Sequence, residues 1–199
     1  MWAKVESDTV TKIYMRPTAL NISDVNYPAN IFSMWSSAEL KAIGIYEVVV
    51  DNTNLKSEDY YINTNQTFAF ASDTVTASYG TATARAIADT LWTAQDETDG
   101  LGTEGEVATR GLKYNHKEVI NQQAAGALAP TDWMIIRAAD GGTAVPSSIT
   151  TKRAAVRTKA NAMQVQIDGA ANVDALAALY EYNDATPPVR PLGELPKVD

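Results

Sequence analysis

The sequence predicts an α+β fold, and three observations carry that expectation. The first eighty residues are dominated by β-branched and aromatic runs set between turn-formers. After Gly80, alanine-bearing segments with helical period replace them, and the last seventeen residues hold Pro187, Pro188, Pro191 and Pro196. These shifts divide the chain into an N-terminal antiparallel β unit with one inserted helix (1–80), a helical region (81–182) and an extended Pro-rich C-terminal arm (183–199).

Within the first region, Val10 to Met15, Ile45 to Val50 and Tyr60 to Phe70 read as strands. Asp51 to Lys56 supplies Asn and Asp, which tolerate left-handed backbone, and reads as a hairpin loop. The inserted helix is signalled by Ser36 with Glu39 three residues on, the pattern in which each side chain satisfies a free backbone N–H of the other, and Gly44 closes it. Tyr27, Phe32 and Trp35 form an aromatic cluster that packs this helix onto the sheet.

Four helical stripes follow. Ala84, Ile87, Ala88 and Leu91 share a face, as do Ile120, Ala124, Ala127 and Leu128 before Pro130, and Val156, Ala160, Met163 and Ile167. A last short helix takes Asn172 as its N-cap and turns Val173, Leu176, Ala177 and Tyr180 inward. Alanines let helices approach closely but bury little area each, which points to partners beyond this chain, including further copies of itself. The Pro-rich arm reads as either a loose tail or a docked strap, the strap being favoured, with Pro187, Pro188 and Pro191 as interface candidates.

Composition narrows the function. A chain of 199 residues with 45% apolar and 20% charged content is long enough for a full core, and it has no cysteine for a disulfide, a thiolate nucleophile or a Cys-based zinc site. The first residues mix charge into Met1–Asp8 and lack the apolar stretch of a secretory signal, so synthesis in a cytoplasm is expected. Apolar runs such as Val48–Val50 and Met134–Ile136 are far too short to span a bilayer. A net charge of −8 repels a phosphate backbone, so nucleic acid is not expected as a ligand. Lys152, Arg153, Arg157 and Lys159 form a local basic cluster that helical spacing puts on a solvated face.

Sites for chemistry are weakly signalled. Gly100-Leu101-Gly102-Thr103-Glu104-Gly105 has the spacing of a dinucleotide loop, but an acidic stretch precedes it where a buried strand is required, and it reads as a flexible interhelix loop. His116 is the only histidine and sits at the start of a predicted helix, suited to packing. Asp51, Glu58 and Asp59 lack the alternation and central glycine of a calcium loop. No catalytic, metal or cofactor residue is assigned, no cofactor or small-molecule ligand is expected, and the chain does not read as an enzyme.

The most specific segment is Leu128-Ala129-Pro130-Thr131-Asp132-Trp133-Met134-Ile135-Ile136-Arg137, followed by Val145-Pro146 and Arg153-Ala154-Ala155-Val156-Arg157. Thr131 or Asp132 can satisfy free backbone donors at a turn, and Trp133 offers a large apolar plate. Arg153 and Arg157, one helical turn apart, can pair with Asp132 or Asp140 to make a structural clasp. The pattern resembles a segment of bacteriophage tail-fibre and tail-assembly-chaperone proteins, on Leu128, Asp132, Trp133, Arg153, Val156 and Arg157, with Lys152 where that family has an aromatic residue. It spans about residues 112–180. A second likeness, to an opening seen in phage tail proteins, lies at Tyr27-Pro28-Ala29-Asn30-Ile31-Phe32 and Trp35 to Ile45.

The resemblance implies a virion structural protein linking tail or baseplate to tail fibres by protein–protein contact, with other tail or fibre proteins as partners. A fibre assembly chaperone that acts in the host cytoplasm and leaves before the virion matures is a second reading. A carbohydrate-binding module or cytoplasmic enzyme is a third.

Overall fold

The computed structural model describes residues 1–198. The chain divides into two compact units, Met1–Thr83 and Ala84 onward. The first contains β1 (Trp2–Glu6), β2 (Thr9–Tyr14), β3 (Leu20–Ile22), β4 (Val25–Tyr27), α1 (Ile31–Met34), α2 (Ser37–Ala42), β5 (Ile45–Asp51), β6 (Tyr61–Ile62), β7 (Gln66–Ala71) and β8 (Thr74–Tyr79), with β9 (Thr83–Ala84) at the boundary in sequence. The second contains β10 (Thr90–Leu91), α3 (Ala94–Thr98), β11 (Val107–Thr109), α4 (Leu112–Leu128), α5 (Asp132–Ala139), α6 (Ser147–Gly169) and α7 (Val173–Ala178). The fold is α+β, with strands first and the long helices in the second half.

Five strands form the main sheet in the order β2-β1-β5-β8-β7. All neighbours run antiparallel except β5 and β8, which are parallel, so the expected purely antiparallel unit is a mixed sheet. The chain leaves β5 through a long loop, lays β7 at the edge and only then returns as β8, which fixes that direction. Asp51 to Lys56 is accordingly no hairpin turn. Asp51 accepts the Thr53 N–H and hydroxyl at 2.9 and 2.6 Å, and Asn63 brackets Lys56 through both its amide atoms.

Strand alternation gives the sheet two apolar faces. Trp2, Tyr14 and Ile45 meet Leu20, Ile31, Phe32 and Leu40 on one side, where Trp2 and Phe32 lie 4.7 Å apart. Ala3, Val48, Val75 and Ala77 are buried on the other with Ile13, Phe68 and Phe70. The edge strands β2 and β7 come back into contact, so the sheet curls toward closure and shields its edges. Two short helices stand where one was expected. α1 precedes α2, whose Ser36–Glu39 capping box is formed, and Tyr27 meets Trp35 edge-on at 5.6 Å.

Three hairpins share one turn. Ser7-Asp8, Ser23-Asp24 and Ser72-Asp73 each join two strands with both residues at positive φ, between 49° and 62°. Two-residue loops with both residues left-handed match the twist of the flanking strands, but they favour Asn-Gly, so Ser-Asp holds some strain here. Ser-Asp-Thr-Val-Thr occurs identically at 7–11 and 72–76. Asp73 is further held by Lys41, whose ammonium donates to its carboxylate at 2.6 Å and its carbonyl at 2.9 Å.

In the second unit the expected helix at Ala84–Leu91 does not form. The carbonyls of Ala86 and Ile87 instead accept the N–H groups of Leu112 and Lys113, each at 3.0 Å. Those amides open α4 and have no intrahelical partner, and a helix at 84–91 would have consumed the carbonyls that serve them. Asp89 completes the start of α4 by accepting the Gly111 N–H at 2.8 Å. The glycine-rich loop is not an interhelix linker. It lies between α3 and β11, and Trp92 exchanges backbone bonds with Gly105 and Glu106 across it.

The core of this unit is α4 against α6. Val156, Ala160, Met163 and Ile167 are all buried on α6, opposite Ile120 and Ala124 on α4. Burying each larger member contributes about 1.5–3 kcal/mol. Asn172 caps α7 by accepting the Ala175 N–H at 2.8 Å, and Val173 and Leu176 turn inward. His116, within α4, meets the Tyr180 hydroxyl at 2.8 Å. An extended polyproline arm is not shown. Asn183 N–H donates to Val189 O, Leu192 N–H to Leu179 O, and Leu192 is fully buried.

Candidate partner-docking site

Pro130 ends α4 at Leu128 and opens a short 3-10 turn, Ala129–Thr131, because it removes an amide donor and fixes its own backbone. The Leu128 carbonyl is one of the last four of α4, which the helix itself leaves unpaired. Arg153, from the first third of α6, reaches into this corner. Its guanidinium donates to Leu128 O at 2.8 Å, Thr131 Oγ1 at 2.6 Å and Asp132 Oδ1 at 2.7 Å. The Thr131 hydroxyl in turn donates a hydrogen bond to Leu128 O at 3.0 Å.

Arg153 is only 8% exposed, so the basic cluster does not lie wholly on a solvated face. Lys159 is drawn in as well, donating to Leu192 O at 2.8 Å. Arg157 stays exposed and makes no ion pair among the described residues, leaving the clasp to Arg153 and Asp132. Neither Thr131 nor Asp132 caps α5 with its side chain, since both oxygens face Arg153.

α5 is moored at its start by this clasp and at its end by a glycine cap. Gly141 takes φ +79°, its N–H donates to Ala138 O at 3.2 Å, and the Gly142 N–H reaches Arg137 O at 2.9 Å. Between the moorings no residue of α5 is buried. Trp133 is 52% exposed and Ile136 62%, on one face at i and i+3, and Ile135 is exposed beside them. Trp133 is thus a surface plate and not part of the core.

Arg137, one turn beyond Trp133, lays its guanidinium 4.8 Å from the indole centre. Its Nε is buried without a hydrogen-bond partner, and the side chain enters no ion pair among the described residues. Trp133, Ile136, Arg137, Asp140 and Gly142 border an open hollow of about 440 Å³. Ile136, Arg137 and Gly142 were not singled out from the sequence. The signal available was the i, i+3, i+4 spacing of Trp133, Ile136 and Arg137 before Gly141-Gly142.

The structure therefore brings Asp132, Trp133 and Arg153 together and leaves Arg157 outside. Pro187, Pro188 and Pro191 lie elsewhere and are exposed, with Pro191 O accepting from Gln166 at 3.4 Å. No group of three or more His, Cys, Asp or Glu residues suited to a metal ion occurs among the described residues. No described helix is long and apolar enough to cross a membrane. An exposed tryptophan, an isoleucine and an arginine beside the indole, on a helix held at both ends, have the composition of a protein-binding hot spot. Comparison with family models, curated proteins and solved structures returns no match.

Proposed function

We propose that this chain is a structural protein of a tailed-phage virion, joining tail or baseplate to tail fibres by protein–protein contact. The observation that carries the reading is the α5 face: Trp133 and Ile136 stand open on a helix with no buried residue, fixed at both ends. Exposed apolar area on a rigid mount favours a partner surface over a mobile loop. The motif that resembles phage tail proteins, from Leu128 through Arg157, is the same stretch that builds the clasp and this face. The net charge of −8 favours protein over nucleic acid as the partner. Self-association through the alanine-bearing outer surfaces of α4 and α6 belongs to the same proposal.

A photo-crosslinking residue at position 133, expressed during infection by the phage that encodes the chain, tests this reading. A covalent adduct with a tail, baseplate or fibre protein, lost when the label is moved to exposed Arg157, is the expected result. Adducts with host proteins alone would overturn it.

A further inference from the structure

We infer that the hollow beside Trp133 receives a segment of the partner protein that presents one carboxylate next to a large apolar side chain, with Arg137 binding the carboxylate. This rests on reading α5 as a docking face. The clasp shows how arginine is used in this region: Arg153 spends its donors on Leu128, Thr131 and Asp132. Arg137 spends none of its side-chain donors among the described residues, and its Nε is buried and unpartnered.

The guanidinium carbon lies 4.8 Å from the Trp133 ring centre, a contact that uses the face of the cation and leaves its terminal N–H groups, which make no hydrogen bond among the described residues, to grip a carboxylate. Gly142 keeps that arrangement open, since a Cβ there would lie 2.8 Å from Arg137 Cγ. Trp133 and Ile136 supply apolar walls, which seat the neighbouring side chain and strengthen the ion pair by displacing water. Asp140 on the rim sets one negative charge beside the single cation Arg137, so a densely acidic or phosphorylated segment is disfavoured relative to one carboxylate.

Selection from a random peptide display library against the immobilised full chain tests this. Enriched peptides are expected to carry Asp or Glu within two residues of Leu, Phe or Trp. Arg137→Gln in the protein and Asp→Asn or Glu→Gln in the peptide should each weaken binding about tenfold or more, and the two losses should not add. Arg137→Lys, which keeps the charge but not the fork, should recover only part. Circular dichroism of each variant guards against a folding defect. Enriched peptides without a carboxylate, equal binding by Arg137→Gln, or no enrichment would each overturn the inference. The selection uses no phage particle, so failure of the virion reading leaves its outcome unaffected. Carboxylate-free peptides that still need Trp133 would sink the Arg137 role while leaving α5 as a docking face.

Discussion

Arg153 Nη2 and Asp132 Oδ1 meet at 2.7 Å across 21 residues of sequence, and the same guanidinium ties off the end of α4. One buried cation thus serves a carbonyl, a hydroxyl and a carboxylate. Arg153→Ala leaves all three short of a donor and should lower stability by about 2–3 kcal/mol. Asp132→Asn should cost less, because Asp132 is half-exposed and water can replace part of the loss. Urea unfolding of the full chain, followed by circular dichroism, gives both values.

Trp133→Ala should change stability by less than about 1 kcal/mol, as expected of a surface position. Ile167→Ala, in the fully buried stripe of α6, should cost about 2–5 kcal/mol. A Trp133 variant that folds normally but no longer captures its partner separates docking from folding. A loss as large as that of Ile167→Ala would place the ring in the core.

The Ser-Asp turns are a reservoir of small strain. Replacing Ser23-Asp24 by Asn-Gly should raise the stability of the first unit by about 1 kcal/mol. The same exchange at Ser72-Asp73 should gain less, because it removes the carboxylate that Lys41 holds. Thermal melts of the two double variants make the comparison.

Asp89 links acid sensitivity to the start of α4. Its carboxyl is held below the usual carboxylate range, first by the Gly111 N–H and then by Arg110. A depressed folded pKa stabilises the fold above the ordinary value of about 4, and that contribution is lost as pH falls through the lower folded value. The stability gap between the native chain and Asp89→Asn should therefore be full at pH 6 to 7 and close on acidification below about 4. A gap independent of pH would contradict this.

Legibility in the sequence follows the range of the interactions. The α6 stripe, the Ser36–Glu39 capping box and the Asn172 cap are local, within one or two turns, and they read directly. The segment at Ala84–Leu91 carries a helical period, but its carbonyls are committed to Leu112 and Lys113, more than twenty residues away in sequence. No periodicity reports such a commitment. The parallel pairing of β5 and β8 depends on the order in which β7 and β8 are laid down, which strand propensity does not encode. Two of the three Ser-Asp hairpins lie in a repeated pentapeptide, at 7–11 and 72–76, and all three lack the glycine that normally marks such a turn. At the candidate site, Asp132 and Arg153 are legible as opposite charges. The openness of Trp133 and the unpaired Arg137 depend on how α5 is moored.

The proposed phage origin and virion role are tested most directly by quantitative mass spectrometry of purified tailed-phage particles from the source of the sequence. The chain should be present at a fixed ratio to the major tail protein and remain after stringent washing. Clean absence from particles, with the chain bound to fibre protein in infected-cell lysate, would contradict a structural role and identify an assembly chaperone instead.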